Sequence, residues 1–180
     1  YHLVKEGGLN AGMAGNIGDS YAKMVAEQDF DHYVLEISSF QLDGIVDFKP
    51  HVAVITNITP DHLDRYEYKF ENYIASKFRI AMNQDEQDYL IYDADDEVLV
   101  DWLKKHPVRS KLITFTLKGE IEKGAWLEND TIKIKLEHKT LEMSTDILAL
   151  EGQHNVKNTM AASMAALLVK VRKETIRQSI

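Results

Sequence analysis

Short apolar runs alternate with helical stretches along much of this 180-residue chain, and this alternation constrains its fold more than any other feature. The apolar runs are nearly continuous and rich in β-branched and aromatic residues, which is typical of strands buried on both faces. We predict strands at 32–37, 52–57, 88–92 and 111–116, and helices at about 19–28, 70–83 and 96–105. Strand and helix in alternation predict a mostly parallel α/β sheet that is flanked by helices and linked by right-handed crossovers.

The pattern changes between residues 124 and 150, where we predict a small antiparallel β-ribbon beside the main sheet. Residues 131–136 alternate between apolar and polar with period two, so one face of this strand is expected to be wet. Asn129 and Asp130 precede the strand and suit a hairpin turn. An Ala/Met/Leu-rich helix is predicted from about 155 to 170, and another from 173 to 180.

The composition indicates one soluble domain and argues against several classes of function. Hydrophobic residues make up 44% of the chain, but no apolar run approaches the roughly 20 residues that a membrane-spanning helix needs. The 21 basic residues are outnumbered by 29 acidic ones, and the net charge of −8 argues against binding nucleic acid through its phosphates. Because the chain has no cysteine, a disulfide, a thiolate zinc site and a cysteine nucleophile are excluded. We therefore expect a cytoplasmic protein that neither inserts into a membrane nor binds nucleic acid.

Polar side chains follow two of the predicted strands. Glu36 lies at the end of the 32–37 strand, and His62 follows the 52–57 strand. Open α/β sheets bind ligands outside the carboxyl ends of their strands, so a carboxylate and an imidazole on neighbouring strands could reach one divalent cation. Oxygen ligands with one imidazole suit Mg²⁺ or Mn²⁺ better than structural zinc. The alternative is that both side chains are polar strand ends in water, with Asp61 capping the turn.

Lys77 is a further candidate because of its position in the predicted 70–83 helix. Tyr73, Lys77, Ile80 and Ala81 share one face, whereas Arg79 points elsewhere. Burial among such neighbours lowers the pKa of a lysine and favours its neutral amine, which is the reactive form. The alternative is a lysine whose stem covers apolar surface while its ammonium group stays in water.

Two further segments could contact a ligand through the backbone. Residues 152–158 precede a strong helix, and Asn155 suits its N-cap, whereas capping explains neither His154 nor Asn158. The glycine-rich segment 12–18 could approach an anion or simply form a turn. The chain contains no GxxxxGK[ST] motif, so it has no phosphate-binding loop of that type.

At these residues the sequence resembles the Mur ligase family of peptidoglycan synthesis, and within it the D-glutamate-adding branch. Four motifs match in order, and a fifth segment matches the lysine helix of the family. The matching segments are Gly15-Asn-Ile-Gly18, Leu35-Glu-Ile-Ser-Ser-Phe-Gln-Leu42, Asn57-Ile-Thr-Pro-Asp-His-Leu-Asp-Arg65, Gly152-Gln-His-Asn-Val-Lys-Asn158 and Tyr73-Ile-Ala-Ser-Lys77. The resemblance covers essentially the whole chain.

The resemblance implies an ATP-dependent ligase that forms an amide bond and uses Mg²⁺ or Mn²⁺. Such an enzyme would phosphorylate the alanyl carboxylate of UDP-N-acetylmuramoyl-L-alanine, and the amine of D-glutamate would attack the acyl phosphate. The implied catalytic and metal-binding residues are Glu36, His62 and Lys77, the last of them carbamylated by CO₂. The implied substrate contacts are Asn16, Ser38 and Gln41. The implied ATP contacts, around the adenine, are His154, Asn155 and Asn158.

The resemblance also implies that the chain is a central-domain fragment with a Rossmann-like, P-loop-type sheet. Members of the family have a UDP-binding domain, a central ATPase domain and a C-terminal amino-acid-binding domain, and residues 1–180 would be the central one. Residues 1–8 would be the tail of the helix that follows the phosphate-binding loop, so we expect the fragment to fold but not to hydrolyse ATP. The alternatives are another Mur ligase, folylpolyglutamate synthase, or a non-catalytic module that binds a nucleotide-sugar.

Overall fold

The computed structural model describes residues 1–148 and 152–180, and strands and helices alternate in them as predicted. The strands are β1 (Ala11–Gly15), β2 (His32–Glu36), β3 (Val52–Ile55), β4 (Tyr89–Asp93), β5 (Lys111–Thr116), β6 (Gly124–Glu128), β7 (Thr131–Leu136) and β8 (Lys139–Ser144). The helices are α1 (His2–Glu6), α2 (Tyr21–Glu27), α3 (Ser39–Asp43), α4 (Phe70–Phe78), α5 (Glu97–Lys105), α6 (Gln153–Leu168) and α7 (Lys173–Gln178). Short 3₁₀ turns lie at Leu63–Tyr66, Arg79–Ala81 and Thr145–Ile147. Within the described ranges, no helix has the length and apolar character needed to cross a membrane.

The strands form two sheets. β1 and β2 pair in parallel with each other, and the larger sheet has the order β3-β4-β5-β6-β7-β8. Its strands are parallel from β3 to β6, which confirms the prediction of a mostly parallel sheet with flanking helices. The expectation that β2 and β3 are neighbouring strands is wrong, since β2 pairs with β1 and β3 with β4. The alternation of strands and helices indicates crossovers, but it does not fix the order of the strands.

The predicted β-ribbon is continuous with the larger sheet. β6 pairs in parallel with β5, and β7 and β8 follow in antiparallel pairs. Asn129 and Asp130 have φ values of 47° and 56°, the left-handed conformation that a tight two-residue hairpin turn requires. The predicted hairpin turn is therefore confirmed, whereas Leu150, at the end of the predicted ribbon, lies outside the described residues.

The central strands are buried on both faces, as their continuous apolar sequence predicts. In β4, Leu90 and Ile91 are both fully buried, but they belong to different cores. Ile91 packs in the core that contains Met160 and Met164 of α6, whereas Leu90 packs with Leu99 of α5 and with residues of α4. Helices therefore cover both faces of the larger sheet, and its carboxyl end stays open for polar side chains.

The sequence does not predict β1 or α3. β1 consists of alanine, glycine and methionine, and its low β-propensity makes the glycine-rich segment resemble a turn. α3 is five residues long, too short for a helical pattern to be visible. α4 ends at Phe78, earlier than predicted, because its backbone tightens into the 3₁₀ turn at Arg79–Ala81.

Candidate functional site

Glu36 is the last residue of β2, and Asn16, which directly follows β1, holds it through two hydrogen bonds. The backbone N–H of Asn16 donates to the Glu36 carbonyl at 2.7 Å, and the Asn16 side chain donates to Glu36 Oε1 at 3.1 Å. Gly15 makes this approach possible, because an added Cβ would lie 2.2 Å from the Glu36 carbonyl oxygen. Asn16, which the resemblance assigns to substrate, thus contacts Glu36 directly in this structure.

His62 follows β3 in a strained loop. Its φ of 49° is in the left-handed region, which is uncommon for a residue with a side chain and occurs often at functional sites. The Asp61 carboxylate accepts a hydrogen bond from the His62 backbone N–H at 2.8 Å and lies 3.4 Å from the ring nitrogen Nε2. Asp61 therefore orients His62, and it does not cap the 3₁₀ turn that follows.

Helix α3 brings the ends of β2 and β3 together, although these strands do not pair. α3 begins three residues after Glu36, and its Phe40 ring lies 5.0 Å from the His62 ring, centroid to centroid. The guanidinium of Arg65 lies over the same phenyl ring, with its central carbon 5.1 Å from the centroid. The end of β2 and the loop after β3 are thus joined by a short helix and not by a shared sheet. That Glu36 and His62 reach one cation stays a prediction.

Ser38 and Gln41 hold the start of α3. The Ser38 hydroxyl accepts a hydrogen bond from the Gln41 backbone N–H, and Gln41 Oε1 accepts one from the Ser38 backbone N–H at 2.8 Å. This reciprocal pair is a capping box, which satisfies backbone donors at a helix start. At the other end of α3, Arg79 donates to the carbonyls of Leu42 and Ile45 at 2.7 and 2.8 Å.

Lys77 lies on α4, on the face that the sequence predicts. Its ammonium nitrogen is 5.5 Å from the centroid of the Tyr73 ring, and its side chain is half-buried. The Tyr73 ring lies 5.3 Å from the ring of Tyr66, centroid to centroid, so the face of α4 that carries Lys77 is near the turn that follows His62. Burial and the charge of Asp61 raise the pKa of the Tyr73 hydroxyl. Arg79 points away toward α3, which confirms that part of the prediction.

A polar network that the sequence does not reveal joins these elements. Asp43 at the end of α3 accepts hydrogen bonds from the Tyr66 hydroxyl at 2.9 Å and the Ser76 hydroxyl at 2.6 Å. Tyr66 and Ser76 are both buried, so the network ties α3, the loop after His62 and α4 together beneath the surface. No sequence motif identifies Asp43, because its partners are distant along the chain.

The described residues offer metal ligands of suitable type but no complete protein-only site. Across residues 1–148 and 152–180, no three His, Cys, Asp or Glu side chains form a group that could hold a metal ion. A carboxylate oxygen from Glu36 and an imidazole from His62 fit Mg²⁺ or Mn²⁺, which usually take further oxygen ligands from water and phosphate. The donor chemistry therefore fits the implied ions, provided that other oxygens complete the coordination.

The start of α6 lines a cavity of about 320 Å³. Asn155 and Asn158 both contribute to its wall, whereas His154 is exposed and is not among the lining residues. The remaining lining residues are Leu3, Leu148, Thr159, Ala162, Ser179 and Ile180. An apolar wall with two amide side chains suits a flat polar heterocycle. The prediction that Asn155 is the N-cap is wrong, because Gly152, with φ of 103°, takes that position and the helix begins at Gln153.

Known proteins match this chain in sequence. The model of the Mur ligase middle domain matches residues 10–166. A UDP-N-acetylmuramoylalanine--D-glutamate ligase from Christiangramia forsetii is 62% identical over 179 residues, which are 99% of this chain and 40% of that protein. The Bacteroides fragilis ligase of the same name is 45% identical over 180 residues, which are 100% and 40% of the two chains. The chain therefore spans about 40% of the length of these curated relatives.

Solved structures share the fold at lower identity. A UDP-N-acetylmuramate:L-alanyl-gamma-D-glutamyl-meso-diaminopimelate ligase from Neisseria meningitides matches with a TM-score of 0.70 at 18% identity, covering 98% of this chain and 58% of that one. The MurF ligase from Thermotoga maritima, solved with ADP, matches with a TM-score of 0.61 at 19% identity, covering 98% and 43%. At such identities the similarity supports the fold and not the substrate.

Proposed function

The chain belongs to the Mur ligase middle domain family, and from this membership we propose that it is the central ATPase part of a longer ligase. The proposed enzyme adds D-glutamate to UDP-N-acetylmuramoyl-L-alanine during peptidoglycan synthesis in the cytoplasm. Relatives of that name at 62% and 45% identity support this choice within the family. A UDP-binding domain before the chain and an amino-acid-binding domain after it belong to the same proposal.

The observation that supports this proposal is a set of contacts among the three segments that carry the assigned residues. Glu36 ends β2, His62 follows β3, and the Phe40 ring of α3 contacts the His62 ring at 5.0 Å. Lys77 lies on α4, whose Ser76 shares the carboxylate of Asp43 with the loop after His62. A module that only bound a nucleotide-sugar would not need a carboxylate, an imidazole and a half-buried lysine on segments that contact one another.

We assign metal binding to Glu36, His62 and a carbamate formed from Lys77 and CO₂. Mg²⁺ or Mn²⁺ held there would neutralise charge on the transferring phosphoryl group and on the substrate carboxylate. Asn16 keeps one oxygen of Glu36 hydrogen-bonded and so fixes the direction of the carboxylate. Asp61 does the same for the His62 ring. Carbamylation replaces the ammonium charge of Lys77 with an anion, which suits a cation site.

Substrate and nucleotide would occupy the two sides of these residues. We assign contacts with the UDP-muramoyl substrate to Asn16, Ser38 and Gln41, whose oxygen and nitrogen atoms also organise Glu36 and α3. We assign the adenine to the cavity lined by Asn155 and Asn158, with His154 beside them in sequence. A phosphate-binding loop, which this sequence does not contain, would come from another part of the longer protein.

The proposed reaction has two steps. An oxygen of the alanyl carboxylate attacks the γ-phosphorus of ATP, the bond to the β-phosphate oxygen breaks, and ADP leaves. The amine of D-glutamate then attacks the acyl carbon, inorganic phosphate leaves, and the nitrogen loses a proton to give the amide. The residues of this chain orient the carboxylate and the phosphates, and such positioning accounts for most of the rate enhancement in phosphoryl transfer.

The test is an amide-ligation assay on the full-length protein that carries this chain. We expect ADP release that requires UDP-N-acetylmuramoyl-L-alanine and D-glutamate together, with product identified by mass spectrometry. L-lysine, meso-diaminopimelate and L-glutamate with folate serve as controls for other Mur ligases and for folylpolyglutamate synthase. Turnover with one of these in place of D-glutamate would contradict the assignment, and no ADP release with any substrate would favour the non-catalytic module. The 180-residue chain alone is expected to release no ADP.

A further inference from the structure

Lys157 lies in the second turn of α6 and bonds two buried carboxylates. Its ammonium nitrogen is 2.6 Å from Asp93 Oδ2 and 3.5 Å from Asp95 Oδ2. The side chains of Lys157, Asp93 and Asp95 are 22%, 5% and 10% exposed, so the three charges are largely shielded from water. A shielded ion pair with one short hydrogen bond restrains the elements that carry it far more than an exposed pair does.

The two carboxylates are themselves fixed. Asp95 accepts hydrogen bonds from the Thr116 hydroxyl at 2.6 Å and from the Leu117 backbone N–H at 2.8 Å, both at the end of β5. The Asp93 carboxylate accepts one from the Asp95 backbone N–H at 2.8 Å. Lys157 therefore bonds to a rigid loop after β4 and not to a mobile side chain.

The same loop also holds the segment that contains His62. One carboxylate oxygen of Asp96 accepts a hydrogen bond from the Ile58 backbone N–H at 3.0 Å. Its other oxygen accepts hydrogen bonds from the backbone N–H groups of Val98 and Leu99 and so caps α5. Residues 93–96 thus link the 57–65 loop on one side and α6 on the other. This loop therefore contacts both the segment that contains His62 and the helix that carries Asn155 and Asn158.

Electrostatics keep Lys157 charged. Burial lowers the pKa of its ammonium group, but the hydrogen bond from Lys157 to Asp93 and the charges of Asp93 and Asp95 outweigh burial and raise the pKa above its ordinary value. Burial likewise raises the pKa of Asp95, whereas the hydrogen bonds from Leu117 and Thr116 and the charge of Lys157 lower it overall. Lys157 and Asp95 therefore stay ionised at neutral pH.

No side chain caps the start of α6. Its N-cap is Gly152, which has no side chain to accept a hydrogen bond from the first turn. Lys157 is five residues beyond that glycine, and it stands between Asn155 and Asn158, which line the cavity. The tertiary ion pair thus holds the first turns of this helix together with the core contacts of Val156 and Met160.

We propose that Lys157 is a positioning residue for the nucleotide: its ion pair with Asp93 and Asp95 fixes Asn155 and Asn158 relative to the 57–65 loop. This inference rests on the proposed function, because it takes the cavity at α6 to be the adenine site. Lys157 itself need not touch the nucleotide.

The experiment compares three variants of the full-length protein with wild type. Lys157→Met removes the charge and keeps the length, Lys157→Arg keeps the charge, and Lys104→Met removes a helical lysine whose ion pair with Asp101 is exposed. KM for ATP and kcat are measured, together with hydrogen–deuterium exchange by mass spectrometry of peptides that cover 153–160. For Lys157→Met we expect KM for ATP to rise about tenfold, kcat to change less than about threefold, and exchange at 153–160 to quicken about tenfold. Lys157→Arg should keep KM for ATP and the exchange rate close to their wild-type values, and Lys104→Met should resemble wild type in both.

Several results would overturn the inference. Faster exchange in Lys157→Met with an unchanged KM for ATP would make the ion pair merely structural. A fall in kcat alone, or no change in either measurement, would also contradict it, as would equal effects of Lys157→Met and Lys157→Arg. Because Lys157→Arg retains the charge, it decides the matter even if Lys157→Met folds poorly. If wild type neither binds ADP nor releases ADP from ATP when both other substrates are present, the proposed function fails and the inference with it. Normal wild-type turnover, with variants that match wild type in KM for ATP and in exchange, would contradict the inference alone.

Discussion

At the scale of single residues, Gly15 shows how backbone geometry sets a functional side chain. Its φ of 112° is a conformation that residues with a side chain rarely adopt, and a Cβ there would meet the Glu36 carbonyl oxygen at 2.2 Å. The glycine lets β1 approach β2 closely enough for Asn16 to bond both the backbone and the carboxylate of Glu36. A chemically inert residue thus controls the direction of a candidate metal ligand.

We predict that Gly15→Ala destabilises the protein more than a glycine substitution that meets only backbone strain. Gly119 is the matched control, because its φ of 106° is similar but nothing lies within 4 Å of an added Cβ. Gly119→Ala should lower the free energy of unfolding by about 1–2 kcal/mol. Gly15→Ala should lower it by about 1–3 kcal/mol more, because the methyl group overpacks against backbone. Urea unfolding measures both, and equal losses would show that the contact with Glu36 imposes no constraint.

Asp95 gives a pH-dependent prediction. Although burial raises the pKa of its carboxyl group, the hydrogen bonds and cations around it outweigh burial and bring the pKa below its ordinary value of 3.8. A depressed folded-state pKa means that ionised Asp95 stabilises the fold above the unfolded-state pKa, and that this stabilisation disappears as pH falls through the folded-state pKa. Urea unfolding of wild type and Asp95→Asn should therefore differ most at pH 5–7, and the difference should shrink below about pH 4. A difference that stays constant across this range would contradict the assignment.

At the scale of elements, the short helix α3, and not strand pairing, connects the end of β2 with the loop after β3. The strand sequences predict β3 through β5 well, because buried parallel strands carry continuous apolar residues. They do not predict that α3 contacts the loop after β3, because this depends on the packing of Phe40 against His62, which has no sequence pattern. Position along the predicted strands and helices indicates Glu36, His62 and Lys77 as candidates, whereas the resemblance assigns their roles. Sequence does not indicate Asp43, Asp96 or Lys157, because each bonds a partner that is distant along the chain.

The capping box of α3 separates a structural role of Ser38 from the proposed substrate contact. Ser38→Ala should lower the free energy of unfolding by about 1 kcal/mol, because the Gln41 backbone N–H loses its acceptor. Ser38→Asp keeps a capping oxygen and should retain stability. If Ser38 also contacts substrate, both variants should raise KM for UDP-N-acetylmuramoyl-L-alanine in the full-length protein. Unfolding curves measure the effect on stability, and steady-state kinetics measure the effect on KM. A normal KM in the stable Ser38→Asp variant would contradict the substrate contact and show that Ser38 only caps α3.

At the scale of the whole molecule, the fold places its polar chemistry at one end and its packing elsewhere. Two cores cover the faces of the larger sheet, and the loops after β2, β3 and β4 carry Glu36, His62 and the 93–96 segment. The loop after β4 contacts both the 57–65 loop and α6, which carry two of the candidate subsites. The alternating sequence predicts the fold class. The places of the polar residues relative to the two cores depend on the strand order and the tertiary hydrogen bonds, which the sequence pattern does not predict.

The most direct test of the central claim is the activity of the full-length protein with Lys77→Ala. If Lys77 carries a carbamate that holds a metal ion, its loss should reduce turnover at least about a hundredfold, and added formate or acetate should restore part of it. Lys69→Ala, which removes an exposed lysine just before α4, is the control and should leave turnover near normal. Near-normal turnover of Lys77→Ala would contradict the account, because Lys77 would then be a lysine that only covers the Tyr73 ring.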